Sequence, residues 1–481
     1  MIPTTDTSLS LPSSWMALPF LGLLGLIALA PLFFPKWWHK YYPHVTLGLA
    51  AFVLAYYGFI LKNSAPIFHV AQEYFSFICL IGSLFIVSGG IHIRVKSHSK
   101  PAANIVFLLF GAILANAIGT TGASVLLIRP WLRMNHHRIG AFHVVFFIFI
   151  VSNVGGSLTP IGDPPLFIGY LKGVPFWWIT TNSLAIWSVA IGYLLTVFYL
   201  LDRHNYKRIA WIDPSPTENS HGNWRVEGSL NILFLGVILA SVFINNPYFV
   251  REGLMIVAAL GSWLTTQKKL YERNHFSITP IKEVAILFIG IFATMLPALD
   301  LLQVHAKSLG MTSPSLLFWS SGFLSSVLDN APTYYSFLTA MLSVFVDGEI
   351  VKQVQQLILT QGASLTAISG PQSHEILNTW AALQRYHGAK VAAGIVNVEQ
   401  IKIAYLIGNP PYHLHLLALS IASVFFGATT YIGNGPNFMI KSIANEAKIA
   451  TPTFLGYIYK FSIPVMLPML LLVWFLFFRH S

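Results

Sequence analysis

Long apolar runs separated by short polar segments dominate the hydrophobic pattern of this chain. A helix needs about 20 apolar residues to cross a hydrocarbon core about 30 Å thick. We predict about ten transmembrane helices, two of them broken, over residues 15–34, 46–61, 74–91, 139–172, 182–201, 229–244, 253–266, 284–299, 413–447 and 454–478. The predicted fold class is therefore an all-α polytopic membrane protein.

Two further apolar runs, 104–130 and 315–345, are interrupted near their middle. The interruptions read Gly119-Thr-Thr-Gly122 and Asp329-Asn-Ala-Pro332, and glycine and proline disfavour a continuous helix. Each half is too short to cross the membrane. We therefore predict two re-entrant helical hairpins whose tips reach the middle of the membrane.

One polar interruption occurs twice in the chain. Residues 156–168 align without gaps on residues 427–439, and Asp163 then faces Asn434. The identical pairs are Gly156/Gly427, Thr159/Thr430, Ile161/Ile432, Gly162/Gly433, Pro165/Pro436 and Phe167/Phe438. Each half of the chain has three spans, a hairpin, a broken span and a final span. Because five crossings is an odd number, the two halves are predicted to form inverted repeats.

These repeats define the predicted domains. The first inverted repeat covers 1–202, with its hairpin at 104–130 and its broken helix at 139–172, and a cytoplasmic linker follows at 203–228. The second repeat covers 229–478, with its hairpin at 315–345, an outer insertion at 346–402 and its broken helix at 413–447. We interpret the insertion as a solvated loop or a partner-facing cap with a helix near 376–387. A direct role in transport is the alternative.

Composition and charge agree with a membrane protein. The chain is 55% hydrophobic and only 9% charged, whereas about a quarter of a soluble chain is charged. The net charge of +11 does not indicate a nucleic-acid partner, because most Lys and Arg residues lie in the loops of one face. The positive-inside rule makes that face cytoplasmic. We expect a multi-pass protein of the cell inner (plasma) membrane, in contact with the lipid bilayer, with both termini outside.

Two acidic residues, Asp163 and Asp329, lie deep in apolar segments at helix breaks. A charge within the membrane is costly and usually lines a polar pathway. The structural alternatives are a helix cap for Asp163, which precedes Pro164, and a plain turn for Asp329. Asn434 occupies the repeat position of Asp163 without a charge. A capping role alone therefore leaves the charge of Asp163 unexplained.

Side chains with oxygen atoms surround these carboxylates at both breaks and both hairpin tips. Hydroxyl, amide and carboxylate oxygens are the ligands that a small hard cation such as Na⁺ prefers, although a single Thr or Ser more often only packs between helices. The Na⁺ site candidates are Asp163, Asn153 and Thr120. The wider candidate binding set adds Asn116, Thr121, Ser157, Thr159, Asp329, Asn330, Thr333, Thr429, Thr430, Asn434 and Asn437. The sequence has no phosphate-binding loop or nucleophile elbow, so we expect no enzyme activity, no catalytic residue and no cofactor.

The stretches Ser152-Asn-Val-Gly-Gly-Ser-Leu-Thr-Pro-Ile-Gly-Asp163 and Asp329-Asn-Ala-Pro-Thr333 resemble those of the ion transporter superfamily. This superfamily includes NhaD-type sodium:proton antiporters, citrate and other carboxylate carriers, and arsenite permeases. The run Pro-Ile-Gly-Asp163 is most similar to the sodium:proton branch. Carboxylate carriers have a Ser-Asn-Thr type signature at both tips, which this chain lacks. The resemblance implies a homodimer in which a transport domain moves against a scaffold.

Our leading hypothesis is secondary active transport, specifically Na⁺(Li⁺)/H⁺ antiport in which Asp163 holds a proton and a metal cation in turn. Asp329 would then be a second carboxylate or a charge partner. The alternative is a Na⁺-coupled carrier of a di- or tricarboxylate such as citrate, or of another anion. A membrane-embedded enzyme or receptor scaffold is a third class, and it predicts no solute flux.

Overall fold

The protein is almost wholly helical. The computed structural model describes residues 12–94, 100–212, 225–244, 249–274, 276–305, 313–328, 330–363 and 370–479. The first half contains α1 (Leu18–Phe33), α2 (Pro35–Ala55), α3 (Ala65–Gly89), α4 (Pro101–Met134), α5 (Ala141–Ile150), α6 (Pro164–Leu171) and α7 (Phe176–Ile212). Prolines begin several of these helices, at a position where the missing N–H is not needed.

The second half contains α8 (Leu230–Ser241), α9 (Val250–Thr265), α10 (Lys268–Arg273), α11 (Thr279–His305), α12 (Pro314–Val327), α13 (Asn330–Phe345), α14 (Gly348–Leu359), α15 (Ser373–Ala392), α16 (Val398–Gly408), α17 (Pro410–Gly427), α18 (Gly435–Glu446), α19 (Phe454–Tyr457) and α20 (Leu467–Phe477). Short π-helical or 3-10 turns cover Ser14–Ala17, Tyr56–Ile60, Val154–Leu158 and Ile458–Met466. Two short strands, β1 (His92–Arg94) and β2 (Arg225–Glu227), pair antiparallel.

The helices pack into two bundles. The first bundle contains α1, α2, α3, α8, α9 and α11. The second contains α4 to α7, α12, α13 and α17 to α20. The bundles meet where α3 packs on α4 and α6, and where α11 packs on α13. Both halves of the chain contribute to both bundles.

Helices α3 and α11 are the third span of each repeat, and they run antiparallel. The rings of Phe77 and Phe288 stack with their centroids 4.7 Å apart. Further along α3, Gly82 lies beside Ile281, which is earlier in α11. Because residue numbers rise along one helix while they fall along the other, the equivalent spans have opposite directions. The division of the chain into two inverted repeats stays a prediction.

Helix α4 folds back on itself where the first hairpin is predicted. Gly119 has φ 77° and ψ 153°, which interrupts the helix. The side chain of Asn104 donates a hydrogen bond of 2.7 Å to Asn135 across the base of the hairpin, whereas 31 residues of straight helix would separate them by about 46 Å. Helices α12 and α13 pack against each other as the second hairpin. The structure has helical hairpins at both predicted positions, and their re-entrant placement in the membrane stays a prediction.

Eight helices of the described residues are long and apolar enough to cross a membrane, and one of these is the folded α4. The predicted spans 229–244 and 253–266 correspond to the shorter helices α8 and α9. These two form an antiparallel pair, because Asn231 on α8 hydrogen-bonds to Ser262 and Thr266 at the end of α9. The predicted broken spans 139–172 and 413–447 are α5–α6 and α17–α18.

The predicted linker 203–228 begins too early. Helix α7 continues through Asp202 to Ile212, because Asp202 and Asn205 are held against Arg138. Residues 213–224 lie outside the described residues.

The insertion 346–402 is not an open loop where it is described. It contains α14, α15 and the first five residues of α16, which bury Ile350, Trp380 and Ile401 among themselves and against α17.

A buried polar cluster closes the base of the first hairpin. Its members are Asn104, Asn135, Arg138, His143 and Asp202, and we call it the Asp202 cluster. Arg138 forms an ion pair with Asp202, and Asn104 donates 2.8 Å to the same carboxylate. The N–H of Gly140 donates to His143 Nδ1, so His143 Nε2 carries the proton that Asp202 accepts at 3.1 Å. The cluster joins both arms of α4 to α5 and α7.

Candidate functional site

Asp163 and Asn434 occupy equivalent places at the two helix breaks. Asp163 precedes α6 with φ −144° and ψ 145°, and Asn434 precedes α18 with φ −154° and ψ 137°. Neither side chain caps the helix that follows it. The two side chains instead approach each other, and they are joined by a hydrogen bond. The alternative in which Asp163 serves only as a helix cap is therefore wrong.

Thr120, Asn330 and Asn434 of the described residues donate hydrogen bonds to the Asp163 carboxylate. Thr120 Oγ1 donates to Oδ1 over 2.7 Å, and Asn434 Nδ2 donates to the same oxygen over 3.2 Å. Asn330 Nδ2 donates to Oδ2 over 2.5 Å. Asp163 is 1% exposed. The carboxylate therefore lies at the point where the first break, the second break and both hairpin tips meet.

Asn153 and Asn437 form a second layer behind Asn434. Asn434 Nδ2 donates to Asn153 Oδ1 over 3.0 Å, and Asn153 Nδ2 donates to Asn437 Oδ1 over 2.7 Å. Asn437 in turn donates to the carbonyl oxygens of Gly427 and Thr430. Asn153, predicted as a direct Na⁺ ligand with Thr120 and Asp163, is thus connected to Asp163 through Asn434.

In each repeat, an equivalent hydrogen bond joins the hairpin to the helix break. Thr159 Oγ1 donates 2.6 Å to the carbonyl of Asn116 in the first hairpin. Thr430, its repeat equivalent, donates 2.6 Å to the carbonyl of Ser326 in the second hairpin. Asn116 also accepts from the N–H of Leu158. These predicted site residues hold the break in place, and none of these bonds involves the carboxylate.

The remaining predicted residues have separate positions. Ser157 donates to the carbonyl of Val154 in its own turn, and Thr429 donates to Phe426 at the end of α17. Thr333 is buried in the first turn of α13. Thr121 lines the cavity described below. Asp329, the second predicted carboxylate, lies outside the described residues.

Close backbone approach explains the repeated glycines. A Cβ atom added to Gly162 would meet the carbonyl oxygen of Gly156 at 2.0 Å. A Cβ atom on Gly433 would meet the carbonyl oxygens of Gly427 and Ser325 at 2.7 and 2.8 Å. Backbone atoms cannot move aside as a flexible side chain can. Each break therefore requires glycine at this position.

Gly162→Ala is expected to lower the free energy of unfolding by about 3 kcal/mol, because the methyl group would force apart two backbone segments. Gly435→Ala is the matched control, since no heavy atom lies within 4 Å of its added Cβ and alanine favours a helix. Thermal unfolding of the purified variants measures the difference. Equal unfolding temperatures for the two variants would contradict this explanation of the break.

A small cavity adjoins Asp163 between α3 and the tip of the first hairpin. Its volume is about 20 Å³, which is enough for one water molecule or one monatomic ion. Phe77 and Leu84 form the apolar wall, and Thr120 and Thr121 line the opposite side. Of the described residues that line the cavity, Asp163 is the one with an ionisable side chain. The cavity therefore offers one negative charge in an apolar surrounding.

The sequence patterns missed two buried ionic groups. One is the Asp202 cluster. Its carboxylate lies at the polar end of an apolar run, where a charged residue is ordinarily interpreted as interfacial. The other includes Lys172, which is 6% exposed and contacts Glu73 and Glu399. Their partners are far apart in the sequence. No local spacing could have revealed them.

Comparison with known proteins gives a family for the whole chain. The sequence profile of a family described as "Putative citrate transport" matches residues 9–478. A "46 kDa membrane protein" of Mycobacterium leprae (strain TN) is 25% identical over 338 residues, which is 66% of this chain and 72% of that protein. The predicted likeness to citrate-transporter-like proteins is confirmed, and the closer likeness to NhaD-type antiporters stays a prediction. The chain is a multi-pass membrane protein that belongs to the family described as "Putative citrate transport".

Proposed function

We propose that this protein is a secondary active Na⁺(Li⁺)/H⁺ antiporter in which Asp163 carries either a proton or a metal cation. The observation that carries the proposal is the placement of Asp163. It is buried, it does not cap its helix, and it faces a cavity large enough for one small ion. A charge in such a place within a membrane protein usually belongs to a transport pathway.

Exchange follows from the use of one carboxylate for two cations. A protonated Asp163 has no charge with which to hold Na⁺, and a metal ion bound to the carboxylate excludes the proton. Asn330 Oδ1 is buried and has no hydrogen-bond partner among the described groups. Oxygen atoms of this kind, together with those of Thr120 and Thr121, are suitable ligands for Na⁺ or Li⁺.

A second observation favours the alternative, a Na⁺-coupled carrier of citrate or another anion. Helices α6, α13 and α18 and the second arm of α4 all begin near Asp163. Helix N-termini attract anions, and the family description refers to citrate transport. Against this alternative, the carboxylate of Asp163 already occupies the anionic position. The cavity of about 20 Å³ is also far below the 300 Å³ or more typical of small-molecule sites.

Rigid-body motion of the second bundle against the first would expose the site alternately to each side of the membrane. The cavity supports this mechanism, because α3 of the first bundle forms one of its walls and the hairpin tip of the second bundle forms the other. We place the protein in the cell inner (plasma) membrane. A homodimer is proposed from the superfamily resemblance.

Purified protein in liposomes tests the proposal. With an imposed proton gradient and an internal pH dye, Na⁺ or Li⁺ is expected to dissipate the gradient, whereas choline is not. In parallel, uptake of labelled citrate is measured with Na⁺ or choline outside. Cation-driven proton movement without citrate uptake supports antiport. Na⁺-dependent citrate uptake, with no effect of either cation on the proton gradient, would favour the anion carrier. No flux in either assay would indicate a non-transporting protein.

A further inference from the structure

Lys172 lies buried at the end of α6 that is remote from Asp163. The eight residues of α6 correspond to about 12 Å of helix. The ammonium nitrogen of Lys172 is 2.5 Å from Glu73 Oε1 and 3.0 Å from Glu399 Oε1. It also lies 4.7 Å from the ring centre of Tyr335. We call these four residues the Lys172 cluster.

The Lys172 cluster joins three parts of the molecule. Glu73 belongs to α3 of the first bundle, whereas Lys172 follows α6 of the second bundle. Glu399 belongs to α16 of the insertion. Among the salt bridges of the described residues, the pair Lys172–Glu73 is the one that connects the two bundles.

The insertion is attached to the second bundle. Helix α16 ends at Gly408, immediately before α17, and packs on both α17 and α13. His387 Nε2 lies 3.2 Å from the carbonyl oxygen of Gly173, the residue after Lys172, and Gln400 packs against the same glycine. Glu399 is therefore positioned to move together with Lys172, while Glu73 stays with the first bundle.

We propose that the Lys172 cluster is a latch between the two bundles, and that the insertion makes this latch reversible by supplying Glu399 as a second carboxylate. The pair Lys172–Glu73 holds α6 against α3 in the conformation described above. When the second bundle moves, Lys172 leaves Glu73 but keeps Glu399. The inference goes beyond the proposed antiport and does not depend on which ion is carried.

The two carboxylates should then have opposite effects on the motion. Without Glu73, Lys172 has no carboxylate partner among the described residues of the first bundle, so the site opens more often. Without Glu399, Lys172 would have to leave Glu73 with no carboxylate to accompany it. Leaving a buried ammonium group unpaired is unfavourable, so the site opens less often. A purely structural ion-pair cluster would instead be weakened by either change.

Thiol labelling measures this motion without reference to the transported ion. Thr121→Cys is introduced beside the cavity in a Cys79→Ser background, because Cys79 is the one cysteine of the chain. A membrane-impermeant maleimide is added from the face that carries the insertion. Relative to this parent, Glu73→Gln is expected to raise the labelling rate about fivefold, and Glu399→Gln to lower it about fivefold, which corresponds to one partly buried ion pair.

Glu349→Gln is the matched control for Glu399→Gln. Glu349 also lies on a helix of the insertion and also pairs with a lysine, Lys352, but both side chains are exposed. Its labelling rate is expected to equal that of the parent. Glu73→Asp keeps the charge but withdraws it from Lys172, and should raise labelling if Glu73→Gln does not fold. Changes of the same sign for Glu73 and Glu399, or no change for either, would overturn the latch.

Discussion

Asp163→Asn is expected to reduce cation-driven proton movement to the level of protein-free liposomes, because an amide can neither bind a proton nor neutralise a metal cation at this site. The fold should be retained. Thr120 and Asn434 can still donate to the amide oxygen, and Asn330 can turn its unpaired oxygen atom towards the new NH₂ group. We expect the free energy of unfolding to fall by about 1 kcal/mol at most.

Asp347→Asn is the matched control for this substitution. Asp347 caps α14 on the surface of the insertion and accepts from the N–H of Glu349. Asparagine caps a helix as well as aspartate does, so flux and stability should both stay at the parent level. Substantial cation-driven proton movement by Asp163→Asn protein would show that another group carries the proton.

Asp202→Ala is expected to lower the free energy of unfolding by about 3–5 kcal/mol, the range found when one partner of a buried ion pair is removed. The substitution leaves Arg138 buried without its carboxylate, and it also removes the acceptor of His143 and Asn104. Because these groups close the base of the first hairpin, the hairpin should loosen as well. Thermal unfolding of the purified protein in detergent measures the loss.

Glu349→Gln serves as the comparison for Asp202→Ala, because it breaks an exposed ion pair worth at most about 1 kcal/mol. A double variant, Arg138→Met with Asp202→Leu, tests the reason given for the loss. Removing both charges should be less harmful than removing the carboxylate alone. Equal unfolding temperatures for Asp202→Ala and Glu349→Gln would contradict the assigned role of the cluster.

The breaks and hairpins were predictable because their residues are incompatible with a continuous helix. The apolar runs are interrupted by Gly119, by Gly162 and by the Asp163-Pro164 pair. The six repeated identities relate the two breaks directly. The Thr159 and Thr430 hydrogen bonds show that the repetition extends to single contacts. The breaks and hairpins could therefore be predicted from the residue types at these positions.

The direction of the Asp163 side chain was not predictable, since Asp-Pro is equally suited to a helix cap. Contacts with Thr120, Asn330 and Asn434, which are distant in the chain, hold the carboxylate away from the helix end. Likewise, Lys172 and Glu399 are separated by 227 positions, so their pairing depends on the tertiary fold. The helical form of the insertion was missed over α14 because its polar residues were interpreted as solvated.

In the proposed antiport, one carboxylate, Asp163, holds a proton and a metal cation in turn. Its most direct test is the number of protons released when Na⁺ or Li⁺ binds to the purified protein in weakly buffered detergent solution, followed with a pH indicator. We expect release of about one proton per bound cation at saturation, and no release from the Asp163→Asn variant. Cation binding without proton release, or equal release from the variant, would contradict it.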